Sequence, residues 1–235
     1  MKLDDPELVR REYTTEDGLE GRRSAYQYAE GVNAPETVFD AVAELAPRRV
    51  LEVGCGPGEL AARIAAELGV ELSAVDISPR MVELARSRGV DAYVGDLQEL
   101  PFRDGEFDCV VAAWVLFHVP DLDRGVRELA RILRQGGRLV AATNDVDHLQ
   151  ELRELLGQSP ARETAFDGRN GEELLLRHFS RVEARHAAGV VRFPDREAVQ
   201  RYVDAAITLF GQVDLPPIDG PFLVRYHAVV FVAEK

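Results

Sequence analysis

Between Pro35 and Thr143 the apolar and polar positions switch repeatedly between two rhythms. A helical spacing from Pro35 to Ala46 gives way to the apolar run RRVLEV, and then to GELAARIAAELG, a helix ending at Gly69. ELSAVD predicts a second strand. Ser78 and Pro79 suit the N-cap and first turn of a helix to Ser87, with Gly89 just past its end. DAYVG predicts a third strand, and FDCVVAA, after the turn at Asp104 and Gly105, a fourth. An amphipathic stretch from Asp123 to Leu133 leads through Gly136 and Gly137 into a fifth, RLVAAT. Strands that are apolar along their whole length, separated by helices, predict a parallel, doubly wound α/β sheet covered on both faces.

Beyond Asn144 the rhythm loosens. Val146 to Leu156 reads as a helix, Ser159 to Gly171 as polar turns, and Glu172 to His178 as a short helix. Arg181 to Ala187 alternates as a strand, Asp195 to Phe210 reads as a helix, and Phe222 to Ala233 as a last strand after Pro216 and Pro217. The expected organisation is a single domain in four segments. Residues 1–33 form an N-terminal arm or lid, 34–144 the core, 145–180 an insertion read as a lid, and 181–235 the C-terminal strands and helix. The arm, with Tyr13, Tyr26 and Tyr28, is expected to lie over the carboxyl edge of the sheet.

Composition narrows the function classes. A chain of 235 residues, 46% apolar and 29% charged, falls in the range of soluble globular proteins. Of its two cysteines, Cys55 sits in a glycine loop and Cys109 inside an apolar run, so no disulfide framework is expected and a reducing compartment fits. The N-terminal MKLDDPELVRREY lacks the apolar core of a signal peptide, and no apolar run has the length of a membrane span. A cytoplasmic protein is the expectation. The net charge of -13 argues against nucleic acid or an anionic membrane as partner, because both present phosphate.

The chemistry concentrates where strands end. Gly54, Gly56 and Gly58, with Cys55 between the first two, form a Gly-x-Gly-x-Gly loop after the first strand. Missing side chains let such a loop turn sharply and approach a ligand. The dinucleotide fingerprint is instead Gly-x-Gly-x-x-Gly, and Glu52 just before the loop would repel a pyrophosphate, which disfavours a nicotinamide-dependent oxidoreductase. A carboxylate there suits a phosphate-free ligand carrying an ammonium group. Asp76 ends the second strand, where a carboxylate accepts ribose hydroxyls, and Ser78 is available as the helix N-cap. Asp96, in Gly95-Asp96-Leu97 after the third strand, is placed to accept an exocyclic amine while Leu97 covers a ring.

Together these segments resemble the class I, Rossmann-like S-adenosylmethionine methyltransferases, in particular the small-molecule group that includes ubiquinone and menaquinone biosynthesis enzymes. VLEVGCGPG resembles the first motif of that family and AVDISPRMVELAR the second. GDLQELPFRDGEFDCVVAAWVLFHVPD resembles the third and fourth, and RILRQGGRLVAAT the strand that follows. The resemblance implies a three-layer sandwich around a seven-stranded, mostly parallel sheet with its last strand reversed. It also implies S-adenosylmethionine as cofactor, S-adenosylhomocysteine as product and no metal. Backbone around Gly54, Cys55, Gly56 and Gly58 would meet the amino-acid part of the cofactor. Asp76 would hold the ribose, Ile77 and Met81 would lie near the adenine, and Gly95, Asp96 and Leu97 would complete that pocket. Ala113 would touch the cofactor at the end of the fourth strand. For the cofactor carboxylate the arm offers Arg22, Arg23, Tyr13 and Tyr26, with Arg22 and Tyr26 taken as the candidates.

Methyl transfer is an in-line displacement at a sulfonium-activated carbon, so a base is needed only when the acceptor must lose a proton. His118, in LFHVPD after the fourth strand, is the candidate base, with a packing role as the alternative. Trp114 and Phe117 would line an acceptor pocket or belong to the core. The spacings of His148, His178, His186 and His227 match no metal-ligand motif. The expected activity is methylation of a small-molecule acceptor by a monomer or homodimer. The alternatives are a protein methyltransferase and a non-catalytic S-adenosylmethionine-binding module.

Overall fold

Val50, Leu51 and Val53 are fully buried on β2 (Arg49–Val53), the strand from which the sheet is built outward. The computed structural model describes residues 26–158, 164–206, 210–211 and 213–235. β2 pairs in parallel with β3 (Glu71–Asp76) on one side and β5 (Phe107–Ala113) on the other; β4 (Asp91–Val94) extends the first side and β6 (Leu133–Asn144) the second. β8 (Phe222–Glu234) is antiparallel to both β6 and β7 (Arg181–Phe193). The seven expected strands are present with the last one reversed. An eighth, β1 (Ala29–Gly31) from the arm, adds antiparallel to β7, giving the order β1-β7-β8-β6-β5-β2-β3-β4.

Alternate residues of each strand face opposite layers. Val50, Cys109, Val111, Val140 and Val230 pack with Val38 and Val42 of α1 (Ala34–Glu44) and Ile64 of α2 (Glu59–Leu68). Beside them, Ala74 and Ala92 pack with Val82 and Ala85 of α3 (Pro79–Ser87). Leu51, Val110, Ala141 and Phe231 face the other way, onto Val126 and Leu129 of α4 (Leu122–Ile132) and Leu175 of α6 (Gly171–Leu176). This is the three-layer arrangement. Helix starts follow side-chain chemistry: Asn33, Ser78, Asp121 and Asp195 each accept a hydrogen bond from a first-turn N–H.

Three elements differ from their expected bounds. β7 continues past Ala187 to Phe193, because Gly189 marks the close approach of β1 rather than the end of the strand; a Cβ there would lie 2.2 Å from the Glu30 carbonyl oxygen. The helix expected from Val146 is α5 (Gln150–Leu155). Before it, Asp145 takes the Val146 N–H with its own side chain, and the Asp145 and Leu149 N–H groups bond to carbonyls of β8. Those local bonds compete with a helical turn. α7 (Arg196–Ala205) ends at Ala206, whose backbone leaves the helical conformation; 207–209 lie outside the described residues and Phe210 is again helical. A second apolar cluster, including Leu152, Phe193, Tyr202, Phe210 and Tyr226, joins α5 and α7 to the part of β7 and β8 that outruns β6. Among the described residues no helix is long and apolar enough to cross a membrane.

Candidate functional site

The strand order reverses beside β2, since the chain leaves it for β3 and β4 and returns on its other side to β5 and β6. Open α/β sheets bind ligands outside the carboxyl ends of the strands at such a point. The loops that meet there are 54–58, 77–78, 95–97 and 114–118.

All three glycines of the first loop have positive φ: +65° at Gly54, +53° at Gly56 and +80° at Gly58. Their surroundings differ. A Cβ on Gly54 would lie 2.4 Å from Val115 Cγ2, and one on Gly58 would lie 2.7 Å from Ala85 Cβ. A Cβ on Gly56 would meet nothing within 4 Å. Gly54 and Gly58 therefore serve packing, against the β5 loop and α3, while Gly56 presents bare backbone to open space.

Asp76 ties this loop to the next. Its Oδ2 accepts the Gly56 N–H at 2.8 Å and its Oδ1 the Ser78 N–H at 2.8 Å, while the residue is 9% exposed. Burial raises its pKa, opposed by the backbone hydrogen bonds. Ser78 takes the Met81 N–H at 3.4 Å as the expected N-cap, so Asp76 is not needed for capping. Glu52 is also buried at the carboxyl end of β2. Cys55 lies close enough to feel both acids: burial first, then Glu52 and Asp76, push its thiol far above the ordinary range, which leaves it an inert hydrophobe.

The remaining residues of the expected cofactor pocket fall into two groups. Asp96 is exposed and Ile77 and Ala113 are half-buried, so each has surface at the carboxyl edge. Met81 and Leu97 are core side chains, and Leu97 sits where a Cβ on Gly125 of α4 would touch it. Gly95 is held close to Val75, and the Asp96 carboxylate accepts the Gln98 N–H at 2.8 Å, fixing its turn. Tyr26 is 40% exposed, but its hydroxyl end points inward to His148 Nε2 at 3.4 Å and its ring meets Tyr226 edge-on. Burial of that end raises its pKa, so the phenol stays protonated. Tyr13, Arg22 and Arg23 lie outside the described residues.

After β5 the backbone takes an uncommon course. Trp114 has φ +54°, a left-handed conformation costing a bulky residue about 1–2 kcal/mol. Two bonds hold it there: its N–H donates to the Ala142 carbonyl at 2.8 Å and its Nε1–H to Asn144 Oδ1 at 3.1 Å. The half-buried indole packs on Ala34, Ala187 and Ala228, and the reversal carries Val115 over Gly54. His118 ends the short 3-10 turn Leu116–His118, half-buried, its ring 4.4 Å from that of Phe117. Sequence reasoning had no signal for Val115, Ala85 or Asn144, whose roles come from contacts between distant loops.

A methyltransferase domain family model matches residues 51–141, a span containing Glu52, the glycine loop, Asp76, Asp96 and His118. That stretch, about two fifths of the chain, is similar to the methyltransferase domain family. Methyltransferase GfsG of Streptomyces halstedii is 36% identical over 120 residues, covering 48% of this chain and 43% of that protein. The ubiquinone biosynthesis O-methyltransferase of Xanthomonas oryzae pv. oryzae is 39% identical over 107 residues, covering 43% of this chain and 44% of that protein. The aligned part thus spans under half the length of these curated relatives. A solved S-adenosylmethionine-dependent methyltransferase of Thermotoga maritima superposes with a TM-score of 0.60 at 22% identity, covering 95% of this chain and 97% of the other. The chain shares the Rossmann-like α/β fold of that solved structure.

Proposed function

We propose that this chain transfers a methyl group from S-adenosylmethionine to a small-molecule acceptor, releasing S-adenosylhomocysteine. The observation that carries the reading is Gly56, whose open backbone is held at the switch point by the buried Asp76 carboxylate. The residues fit the donor. Gly56 leaves room for close approach, and the Asp76 oxygens keep lone pairs for ribose hydroxyls after accepting their two N–H groups. Buried Glu52 supplies negative potential suited to an ammonium group, with no basic cradle for a pyrophosphate in the loop. Asp96 and Ile77 border the adenine position, with Met81 and Leu97 as the packed floor beneath.

The bound donor supplies a methyl carbon activated by a sulfonium leaving group. The protein's part is to orient the acceptor, exclude water and, for a hydroxyl acceptor, remove a proton. His118, at the carboxyl end of β5, is the base in this reading. An oxygen acceptor is favoured by the relative named as an O-methyltransferase. The arm and the segment after β6 supply the acceptor's surroundings, in the cytoplasm, with Tyr26 and His148 already in contact there.

Incubation with S-adenosylmethionine and a panel of aromatic and lipid-like alcohols, amines, basic peptides and RNA tests the reading. A methylated small molecule with matching S-adenosylhomocysteine is expected. Methylation of peptides or RNA with none of the small molecules would overturn it.

A further inference from the structure

Beside the carboxyl end of β6, four side chains from three separate parts of the chain converge. His186 on β7 and His227 on β8 lie on the same face of the hairpin, and His186 Nδ1 stands 2.9 Å from His227 Nε2. Asp147 Oδ1 is 2.8 Å from His227 Nδ1 on the other side of that ring. Asp145 brings a carboxylate oxygen to 3.9 Å from His227 Nδ1. His186, His227 and Asp145 each offer one ligand atom, all within 4.8 Å of one another.

We propose that His186, His227 and Asp145 form a binding site for one divalent transition-metal ion, with Asp147 orienting His227 from behind. Two imidazole nitrogens and one carboxylate are a borderline donor set, suited to zinc, cobalt or nickel rather than to magnesium or calcium. The histidine separation fits. Metal–nitrogen bonds of about 2.0–2.1 Å put two ligands at roughly 2.9 Å when they subtend a right angle and at roughly 3.3 Å in a tetrahedron. Closing Asp145 onto the same ion takes a side-chain movement of about 1 Å, from within 4.8 Å of the two nitrogens to the roughly 3.3–3.9 Å at which ligands of one ion stand.

The surroundings are prepared for such an ion in three ways. The Asp147 carboxylate takes the Nδ1–H of His227, which leaves Nε2 as a lone pair aimed at His186; this is the carboxylate–histidine support that metal-ligating imidazoles use. Asp145 is held in place, its Oδ1 accepting the Val146 N–H and its N–H donating to the His227 carbonyl. Gly168 makes room for it, because a Cβ there would lie 2.6 Å from Asp145 Oδ2. Acidic charge gathers there as well: among the described residues His227 is the ion-pair partner of both Asp145 and Asp147 within 4 Å, and Arg225 acts on Asp147 from farther away. His186 is exposed, so the remaining coordination positions open to solvent.

Without metal, the short His186–His227 contact is a hydrogen bond donated by His186 Nδ1–H. Binding requires only that His186 move its proton to Nε2, facing solvent, so no proton need be lost. The residues are two, thirty-nine and forty-one positions apart along the chain and meet through the β7–β8 register and the Asp145 backbone bond to His227, which is why no metal motif shows in the sequence.

Cobalt(II) titration of the chain without a polyhistidine tag, followed by visible absorption, and zinc(II) competition followed by calorimetry test the proposal. One ion per chain is expected. His186→Ala and His227→Ala should each weaken binding at least tenfold, and Asp147→Asn about tenfold. His186 is exposed, so its variant should keep the parent melting temperature and S-adenosylhomocysteine affinity; if the His227 variant fails to fold, His186→Ala decides. Absence of stoichiometric binding, or equal affinity in His186→Ala and the parent, would overturn the site and leave a hydrogen-bonded histidine pair.

Discussion

Gly56 and Gly58 look equivalent in the sequence, yet the structure gives them opposite consequences. Gly56→Ala meets no neighbour, so it should cost only the left-handed penalty of about 1–2 kcal/mol in stability while its methyl group intrudes on the ligand's side. Gly58→Ala drives a methyl into Ala85 and should destabilise further, by roughly 1–3 kcal/mol beyond that penalty. Urea unfolding together with S-adenosylhomocysteine calorimetry separates the two, and equal losses of affinity per unit of stability would contradict the assignment. Asp76→Ala should weaken S-adenosylhomocysteine binding by about 1–3 kcal/mol. Asp76→Asn should not restore it, because one of its side-chain ends donates where the Gly56 and Ser78 N–H groups both need an acceptor. The pH dependence has a definite sign. Burial raises the Asp76 pKa, so if the ionised form binds, affinity should fall on acidification at a higher pH than an ordinary aspartate would impose, and Asp76→Ala should remove that step. The glycine spacing and the acids were legible as local patterns. Which glycine faces the ligand was not, because Val115 and Ala85 decide it from other loops.

At the level of elements, legibility tracked the strength of the apolar pattern. FDCVVAA and ELSAVD match their strands residue for residue, since turn and cap residues bound them: Asp104-Gly105 precedes the first, and Gly69 and Ser78-Pro79 flank the second. β1 had no such pattern: Ala29-Glu30-Gly31 is short and exposed, and only its backbone pairs with β7. The same pairing hid the length of β7, where Gly189 reads as a stop and is in fact a contact. Gly189→Ala should therefore detach β1 while sparing the central sheet. Hydrogen exchange should show protection lost at 29–31 and kept at 107–113; unchanged protection at 29–31 would show that the contact at Glu30 is dispensable. Trp114 is a further case. Its aromatic character suggested an acceptor wall or the core, and its positive φ and bond to Asn144 add a role in turning the β5 loop that no sequence pattern announced.

Across the whole molecule, the stretch similar to the methyltransferase domain family stops near the end of β6, while the fold superposes on a solved structure over 95% of the chain. The family match ends at 141, just before Asn144, the Asp145–His148 turn and the second apolar cluster built on the overhanging β7 and β8. In the proposed reading the donor side was readable from glycines and acids that each form a local pattern at a strand end. The acceptor side was not, because Tyr26 and His148 meet only across the arm and the turn after β6. His118→Ala belongs to this scale, as it touches the junction of the two sides: turnover should fall by roughly 10²–10⁴-fold for a hydroxyl acceptor while S-adenosylhomocysteine affinity holds. Full turnover at every pH would leave His118 a packing residue. The central claim, that the loop at Gly56 and the carboxylate of Asp76 form the donor's site, is tested most directly by calorimetric titration with S-adenosylhomocysteine and with NAD. The account predicts one S-adenosylhomocysteine bound per chain, weakened in Gly56→Ala and Asp76→Ala, and no uptake of NAD. Saturable NAD binding, or S-adenosylhomocysteine affinity untouched by both substitutions, would contradict it.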